Sequence, residues 1–208
     1  MNHNSSKLDI TELAKEYVNE LLTPLENHYY HHYNHALEVM ERSIYLWKKE
    51  WLSEEEIEII SLAALFHDTG FIIQYENNEY IWAKIAKNFL KNMLYSDEKI
   101  EKVEWLIMAT DPKFKKPRSI SEQIIKDADL DNIWRNDFMN TWAKLKKELE
   151  NIKKIKILNP AWQHGTIKFL EKHKYYTKTQ KEERWEQKKK NKKILENILQ
   201  EQNTQTLA

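Results

Sequence analysis

Apolar positions recur along this chain at helical spacing almost from end to end. Ile10, Leu13, Ala14, Tyr17, Val18, Leu21 and Leu22 share one helix face, which Pro24 closes. A second stripe, Ala36, Val39, Met40, Ile44 and Trp47, predicts a helix from about His32 to Trp51. Ser53 with Glu56 has the form of a capping box ahead of Ile57, Ile60, Leu62, Ala63, Leu65 and Phe66, a run that ends near Gly70. Ile81, Ile85, Phe89 and Leu90 mark a fourth helix over Glu79 to Leu94. Ser96, followed by Asp97 and Glu98, suits the positive start of a fifth, with Ile100, Val103, Leu106 and Ile107 inside. Pro112 and Pro117 bracket a basic loop, Lys113 to Arg118. Further helices are expected over Ser119 to Ile133, Asp137 to Ile152 and from Pro160 onward. From Lys178 a long charged helix has few apolar residues before Ile194, Leu195, Ile198 and Leu199. The pattern contains no repeat and no strand hairpin. It predicts an all-α bundle of about eight or nine helices. One domain is expected over residues 1–177, with a charged helix, 178–208, packed on it or extending from it.

Composition narrows the chemistry. The 208 residues include 8 Trp, 10 Tyr and 6 Phe, enough to build a core. With 2 Gly and 4 Pro, glycine-rich phosphate loops have no raw material. The absence of Cys excludes disulfide scaffolds, thiolate metal sites and thiol nucleophiles. Net charge is zero, so nothing drives the whole chain toward nucleic acid or an anionic membrane. No apolar stretch approaches the roughly 20 residues of a membrane span, and Met1-Asn2-His3-Asn4 is followed by no apolar signal core. By elimination, a cytoplasmic protein without a membrane partner is expected.

Four stretches carry residues capable of chemistry: His31-His32-Tyr33-Asn34-His35, His67-Asp68, Asn78-Glu79, and Asp127-Ala128-Asp129-Leu130-Asp131. His31 and His35 are four apart and share a helix face. Imidazole and carboxylate are the donors that bind borderline divalent metals. His67 and Asp68 are adjacent, and within a helix they would diverge by about 100°. They can converge on one ion only near a helix end, which Thr69-Gly70 supplies. A carboxylate closing the buried run Ala63-Ala64-Leu65-Phe66 is costly without a partner, and a metal is an efficient one. The competing readings are plain: a histidine that packs or caps, and an aspartate cluster on a solvated face.

The segment Tyr30 to Val39 resembles the "Y-H-x-x-x-H" helix of HD-superfamily hydrolases. Ala63 to Phe71 is similar to the stretch around the His-Asp doublet that names that superfamily. Lys126 to Asp131 is similar to its late "D-A-D-L" segment. Order and separation also match, about thirty residues and then about sixty. The likeness extends over roughly residues 10–200, through Ile107-Met108-Ala109-Thr110, Asp137-Phe138 and Phe169 to Thr177, toward a bacterial branch of HD-domain hydrolases.

This resemblance implies an HD-domain bundle with metal ligands His35, His67, Asp68 and Asp129; Asp127 and Asp131 are the alternatives for the last. It implies one divalent ion, Mn²⁺, Mg²⁺, Co²⁺, Ni²⁺ or Fe²⁺. The implied reaction is hydrolysis of a phosphomonoester or phosphodiester, of a nucleotide or signalling nucleotide, by a metal-bound water. The catalytic candidates are Asp68, which can also orient the water, Glu79 and His31. His31 doubles as a phosphate contact, and His32 is expected to be structural. Lys126, Arg135 and the Lys113–Arg118 loop are the candidate cations for substrate phosphate, against a reading in which the loop is merely solvated. Asn78 stands where relatives carry a histidine, which favours one metal and counts against an oxygenase. Trp134 replaces an expected glycine. His173 falls in the late motif, while His164 and the Lys188–Lys193 run read as solvated, so no nucleic-acid partner is expected. A homodimer is left open. The alternative function is a metal-binding HD-fold module that binds or regulates with little catalysis, since no carboxylate closely follows His67-Asp68.

Overall fold

The computed structural model describes residues 9–207, except 51, 52, 54, 55, 77 and 115, and of 203–207 only the backbone. Among the described residues there are nine α-helices and no strand: α1 Ile10–Leu22, α2 Tyr33–Lys49, α3 Ile57–Phe66, α4 Glu79–Asn92, α5 Asp97–Ala109, α6 Ile120–Asp129, α7 Phe138–Lys153, α8 Asn159–Lys172 and α9 Lys178–Leu207. Short 3-10 turns, Thr69–Ile72 and Asp131–Trp134, follow α3 and α6.

The helix starts follow the local chemistry. Asp9 accepts from the Thr11 amide, Ser96 from Lys99 and Ser119 from Glu122, each satisfying an amide that the first turn leaves unpaired. His32 is also a cap: its Nδ1 accepts from the Asn34 amide at 3.1 Å, so α2 begins one residue later than the apolar stripe alone suggests. That helix ends at Lys49, and Trp51 lies outside the described residues. The expected Ser53–Glu56 box also falls across undescribed residues; Glu56 itself makes no side-chain cap at the start of α3.

Every residue of α3 from Ile59 to Phe66 is buried. A helix apolar on all sides must be surrounded, and α1, α2, α4, α5 and α6 all touch it. A second apolar cluster, built on Trp134, Phe138, Leu170, Tyr175 and Leu195, joins α7, α8 and α9 to the 3-10 turn after α6. The charged α9 is tied down by polar contacts: Arg184 and Gln180 donate to Asp131, and Asn191 donates to the Ile133 and Arg135 carbonyls. No described helix is long and apolar enough to cross a membrane.

Two departures from the apolar pattern shape the site. The segment from Ser119 is not one helix to Ile133; it breaks after Asp129 and tightens into a 3-10 turn. The third helix ends at Phe66, before His67.

Candidate metal centre

Three helix ends meet at one point. His35 lies in the first turn of α2, His67 and Asp68 directly follow α3, and Asp129 is the last residue of α6. The chain turns from helical φ/ψ at His67 (−59°, −21°) to −114°, 2° at Asp68. That change lets two adjacent side chains face one spot, which a continuous helix forbids. Thr69 Oγ1 donates to the Phe66 carbonyl at 2.8 Å and fixes the turn.

His35 Nε2 is 3.3 Å from Asp129 Oδ1 and 3.6 Å from Asp68 Oδ2. His67 Nε2 is 3.3 Å from Asp68 Oδ2 and 3.4 Å from Asp129 Oδ1. His35, His67 and Asp68 are 4%, 1% and 3% exposed. His67 Nδ1 donates to the Ala64 carbonyl at 2.6 Å, which orients the ring and turns Nε2 toward the carboxylates. His67 Nε2 and Asp68 Oδ2 are buried with no hydrogen-bond partner. Such atoms are expensive unless something else binds them. Ligand atoms of His35, His67 and Asp129 lie within 4.8 Å of one another, so the donor set fits a divalent cation.

The electrostatics agree. Burial alone would lower the proton affinity of His67, yet Asp68 and Asp129 hold its pKa up at about 9. Burial alone would raise the Asp129 carboxyl, and the His35 hydrogen bond together with the adjacent His67 imidazole depresses it far below the usual carboxylate range. The cluster therefore demands positive charge, supplied by a proton when nothing else is bound.

A cavity of about 670 Å³ opens from Asp68 and Asp129. Several aromatic side chains stand on its wall, with Tyr30, Phe71, Trp82, Trp142, Trp162 and Phe169 among the lining residues. Asp68, Glu76, Glu79, Asp111 and Asp129 also line it, and Lys113 is the one Lys or Arg among its described lining residues. Gly70 lies in the 3-10 turn between the wall residues Asp68 and Phe71. A Cβ there would lie 2.0 Å from Trp82 Cδ1 and 2.7 Å from the Asn78 carbonyl, so close approach of Trp82 explains this glycine; its φ is not positive.

The other sequence-derived candidates occupy distinct places. His31 and Glu79 line the cavity, Glu79 as the first residue of α4. Lys126 Nζ donates to the Ala109 carbonyl at 2.7 Å and the Asp111 carbonyl at 3.4 Å. Arg135 is held by Asp137 and Glu38. Neither cation is among the described residues on the wall. Arg118 stacks 4.0 Å over Trp105 and pairs with Glu122. Trp134 is fully buried against the half-buried His173, whose pKa burial lowers to about 4.

The two alternatives to Asp129 face elsewhere. Asp127 accepts from the Tyr176 and Thr177 amides and the Thr177 hydroxyl at 2.8–3.1 Å. Asp131 takes Arg184, Arg42 and Gln180. Asp127 ties α6 to the chain leading into α9, and Asp131 ties the following turn to α9 itself and to α2.

One residue beside the site escaped sequence reasoning. Glu148 of α7 is completely buried, and it accepts from the Tyr30 amide, the His31 amide, the Tyr75 hydroxyl and His31 Nδ1. Burial by itself raises its pKa, but the His31 hydrogen bond and charge bring it down to about 2; His31 is raised in turn, against its own burial. The signal was its phase. Phe138, Trp142, Leu145 and Glu148 lie on one stripe of α7, an apolar face carrying a single carboxylate.

With the geometry in view, the HD domain family model matches residues 32–131. Residues 32–131 form an HD domain. HD domains form a superfamily of metal-dependent phosphohydrolases. No curated protein matches the sequence. Among solved structures, Lin1889 from Listeria innocua is similar, with 21% identity, a TM-score of 0.62 and 92% of each chain covered. YpgQ from Bacillus subtilis has 16% identity and a TM-score of 0.67, with 93% of this chain and 94% of YpgQ covered. YpgQ in complex with ADP has 17% identity and a TM-score of 0.64, with 96% and 94% covered. At these identities the likeness is one of fold.

Proposed function

We propose that the protein hydrolyses a phosphoric ester, with one divalent cation held by His35, His67, Asp68 and Asp129. The observation that carries this reading is the pair of buried, unpartnered donor atoms, His67 Nε2 and Asp68 Oδ2, facing Asp129 at the edge of a cavity. The Ala64 carbonyl presents His67 Nε2 as a lone pair, and His35 Nε2 faces the same two carboxylates. A divalent ion in such a site supplies Lewis acidity, lowering the pKa of water and polarising a phosphoryl oxygen. The chain's own residues supply the rest. Asp68 and Asp129 bring negative charge to the metal position. Glu79 and His31 on the wall are the groups placed to take and give protons. Lys113 is the wall cation placed to meet phosphate oxygens.

The substrate reading is a nucleotide or signalling nucleotide. The aromatic wall supports it, since a base can stack there. So does the ADP bound by YpgQ, a protein of similar fold. The test is to load the metal-free protein separately with Mn²⁺, Mg²⁺, Co²⁺, Ni²⁺ and Fe²⁺ and to assay mono-, di-, tri- and cyclic nucleotides. Hydrolysis of at least one class, abolished by chelator, is expected. Tight metal binding with no hydrolysis of any class would overturn the enzymatic reading in favour of a binding or regulatory module.

A further inference from the structure

His31 stands on the cavity wall, packed 4.3 Å from the Phe71 ring, with Tyr30 edge-on at 4.6 Å. Its Nδ1 is taken by Glu148, and among the described residues no hydrogen bond engages Nε2. Glu148 is not on the wall. It lies behind His31, with a side chain 0% exposed against 19% for His31. A carboxylate so deeply buried on an apolar helix face costs several kcal/mol unless it is paired. This one receives four donors, three of them from Tyr30 and His31. It thus grips both the backbone and the ring of the residue that leads into α2. A leucine would fill that position at no electrostatic cost, so the charge itself calls for a role.

The geometry points to Glu148 as a positioning residue: it clamps His31 so that Nε2–H faces the cavity as the proton donor to the departing oxygen of the ester. This rests on the hydrolase reading above. A carboxylate behind an imidazole fixes its orientation and stabilises its cationic form. In the step it serves, water oxygen forms a bond to phosphorus. The bond from phosphorus to the ester oxygen breaks, and its electron pair stays on that oxygen. His31 Nε2 gives that oxygen a proton. The proton lost by the attacking water goes to a wall carboxylate, Glu79, and returns to His31 through solvent.

A proton donor matters most when the departing oxygen is a strong base, and that property separates positioning from a merely structural role. The experiment compares the metal-loaded wild type, Glu148→Gln and His31→Gln on p-nitrophenyl phosphate, whose leaving group needs no proton, and on an alkyl phosphate, whose leaving group does. Metal content is measured alongside. The expected result is unchanged metal content, a fall in kcat of less than about 5-fold on the aryl ester and about 10²-fold or more on the alkyl ester, and little change in KM. The double variant should lose no more than either single one, because the two residues act as a unit. Equal losses on both esters, or loss of the metal, would overturn the assignment. If Glu148→Gln does not fold, His31→Gln answers the same comparison. A second readout needs no activity: the metal-free wild type should show a downfield, exchange-protected imidazole N–H in its proton NMR spectrum that both variants lose, and its absence from wild type overturns the proposal. A wild type that binds metal and hydrolyses neither ester sinks the hydrolase reading. Wild-type hydrolysis with uniform losses in the variants sinks only the role of Glu148.

Discussion

Replacing the two glycines of the chain by alanine should shift stability in opposite directions. At Gly70 the new methyl group would sit 2.0 Å from Trp82 Cδ1, 2.3 Å from Trp82 Nε1 and 2.7 Å from the Asn78 carbonyl oxygen. None of these can yield cheaply. Trp82 is 6% exposed and packs against Phe71 and His67. The Asn78 carbonyl accepts the first helical hydrogen bonds of α4, from Ile81 and Trp82 at 2.9 and 3.0 Å. Overpacking of a core ordinarily costs about 1–3 kcal/mol, and an indole and a backbone carbonyl displaced together place this case at about 3 kcal/mol. For a chain of this size that is roughly 6–12 °C in Tm. At Gly165, inside α8, an added Cβ meets nothing within 4 Å. There alanine should stabilise by about 0.5–1 kcal/mol through helix propensity and chain entropy. Urea unfolding of both variants with an unchanged m value reads these differences directly. Gly70→Ala should also weaken metal binding, because the turn that carries Asp68 must move with Trp82. A Gly70→Ala protein as stable as wild type, or a Gly165→Ala protein as damaged as Gly70→Ala, would refute the packing argument.

Three further outcomes follow from the same contacts. Asp127→Ala strips three donors of their acceptor, so it should cost about 3–5 kcal/mol in urea unfolding while leaving metal stoichiometry intact; lost metal with wild-type stability would contradict this. Glu79→Gln should leave metal content unchanged and lower kcat by about 10²–10⁴-fold; turnover near wild type would remove Glu79 from proton transfer. Glu148, held at about 2 against an ordinary 4.5, contributes stability that is present above pH 4.5 and lost as pH falls toward 2. Its partner His31 is raised, so that half is complete below pH 6.5 and fades as pH climbs past the raised value. The acid limb of unfolding of the metal-free protein should therefore be shallower in Glu148→Gln, by up to about 3 kcal/mol between pH 5 and 2; identical limbs would count against the buried pair.

The helices were legible because apolar spacing and caps are local. The stripes of α1, α2 and α5 and the cap at Ser96 needed no tertiary information. The resemblance pointed to Asp129 within its segment, with Asp127 and Asp131 as alternatives; where each of the three side chains faces was not legible. Their directions depend on the break after α6 and on α9 lying across it, about fifty residues later in the chain. The same limit applies to Lys126 and Arg135. Their charge was visible, but the carbonyls of Ala109 and Asp111 and the carboxylates of Glu38 and Asp137 that engage them come together only in the fold. His32 looked like part of a helix because a cap and a first helical residue differ in backbone angle, which composition does not record. Glu148 sits in a Lys- and Glu-rich helix and looks solvated until its phase is counted against Phe138, Trp142 and Leu145.

The measurement closest to the central claim is the divalent-metal stoichiometry of the purified protein, determined by mass spectrometry for wild type, His67→Ala and Asp129→Ala. Because His67 carries a proton to about pH 9 when no ion is bound, metal and proton compete, and occupancy should rise with pH between 5 and 9. Wild type should carry about one ion per chain, and both variants should show an occupancy near zero with the helical fold retained. One ion per chain kept in either variant, or wild type that binds none at saturating metal and pH 8, would contradict it.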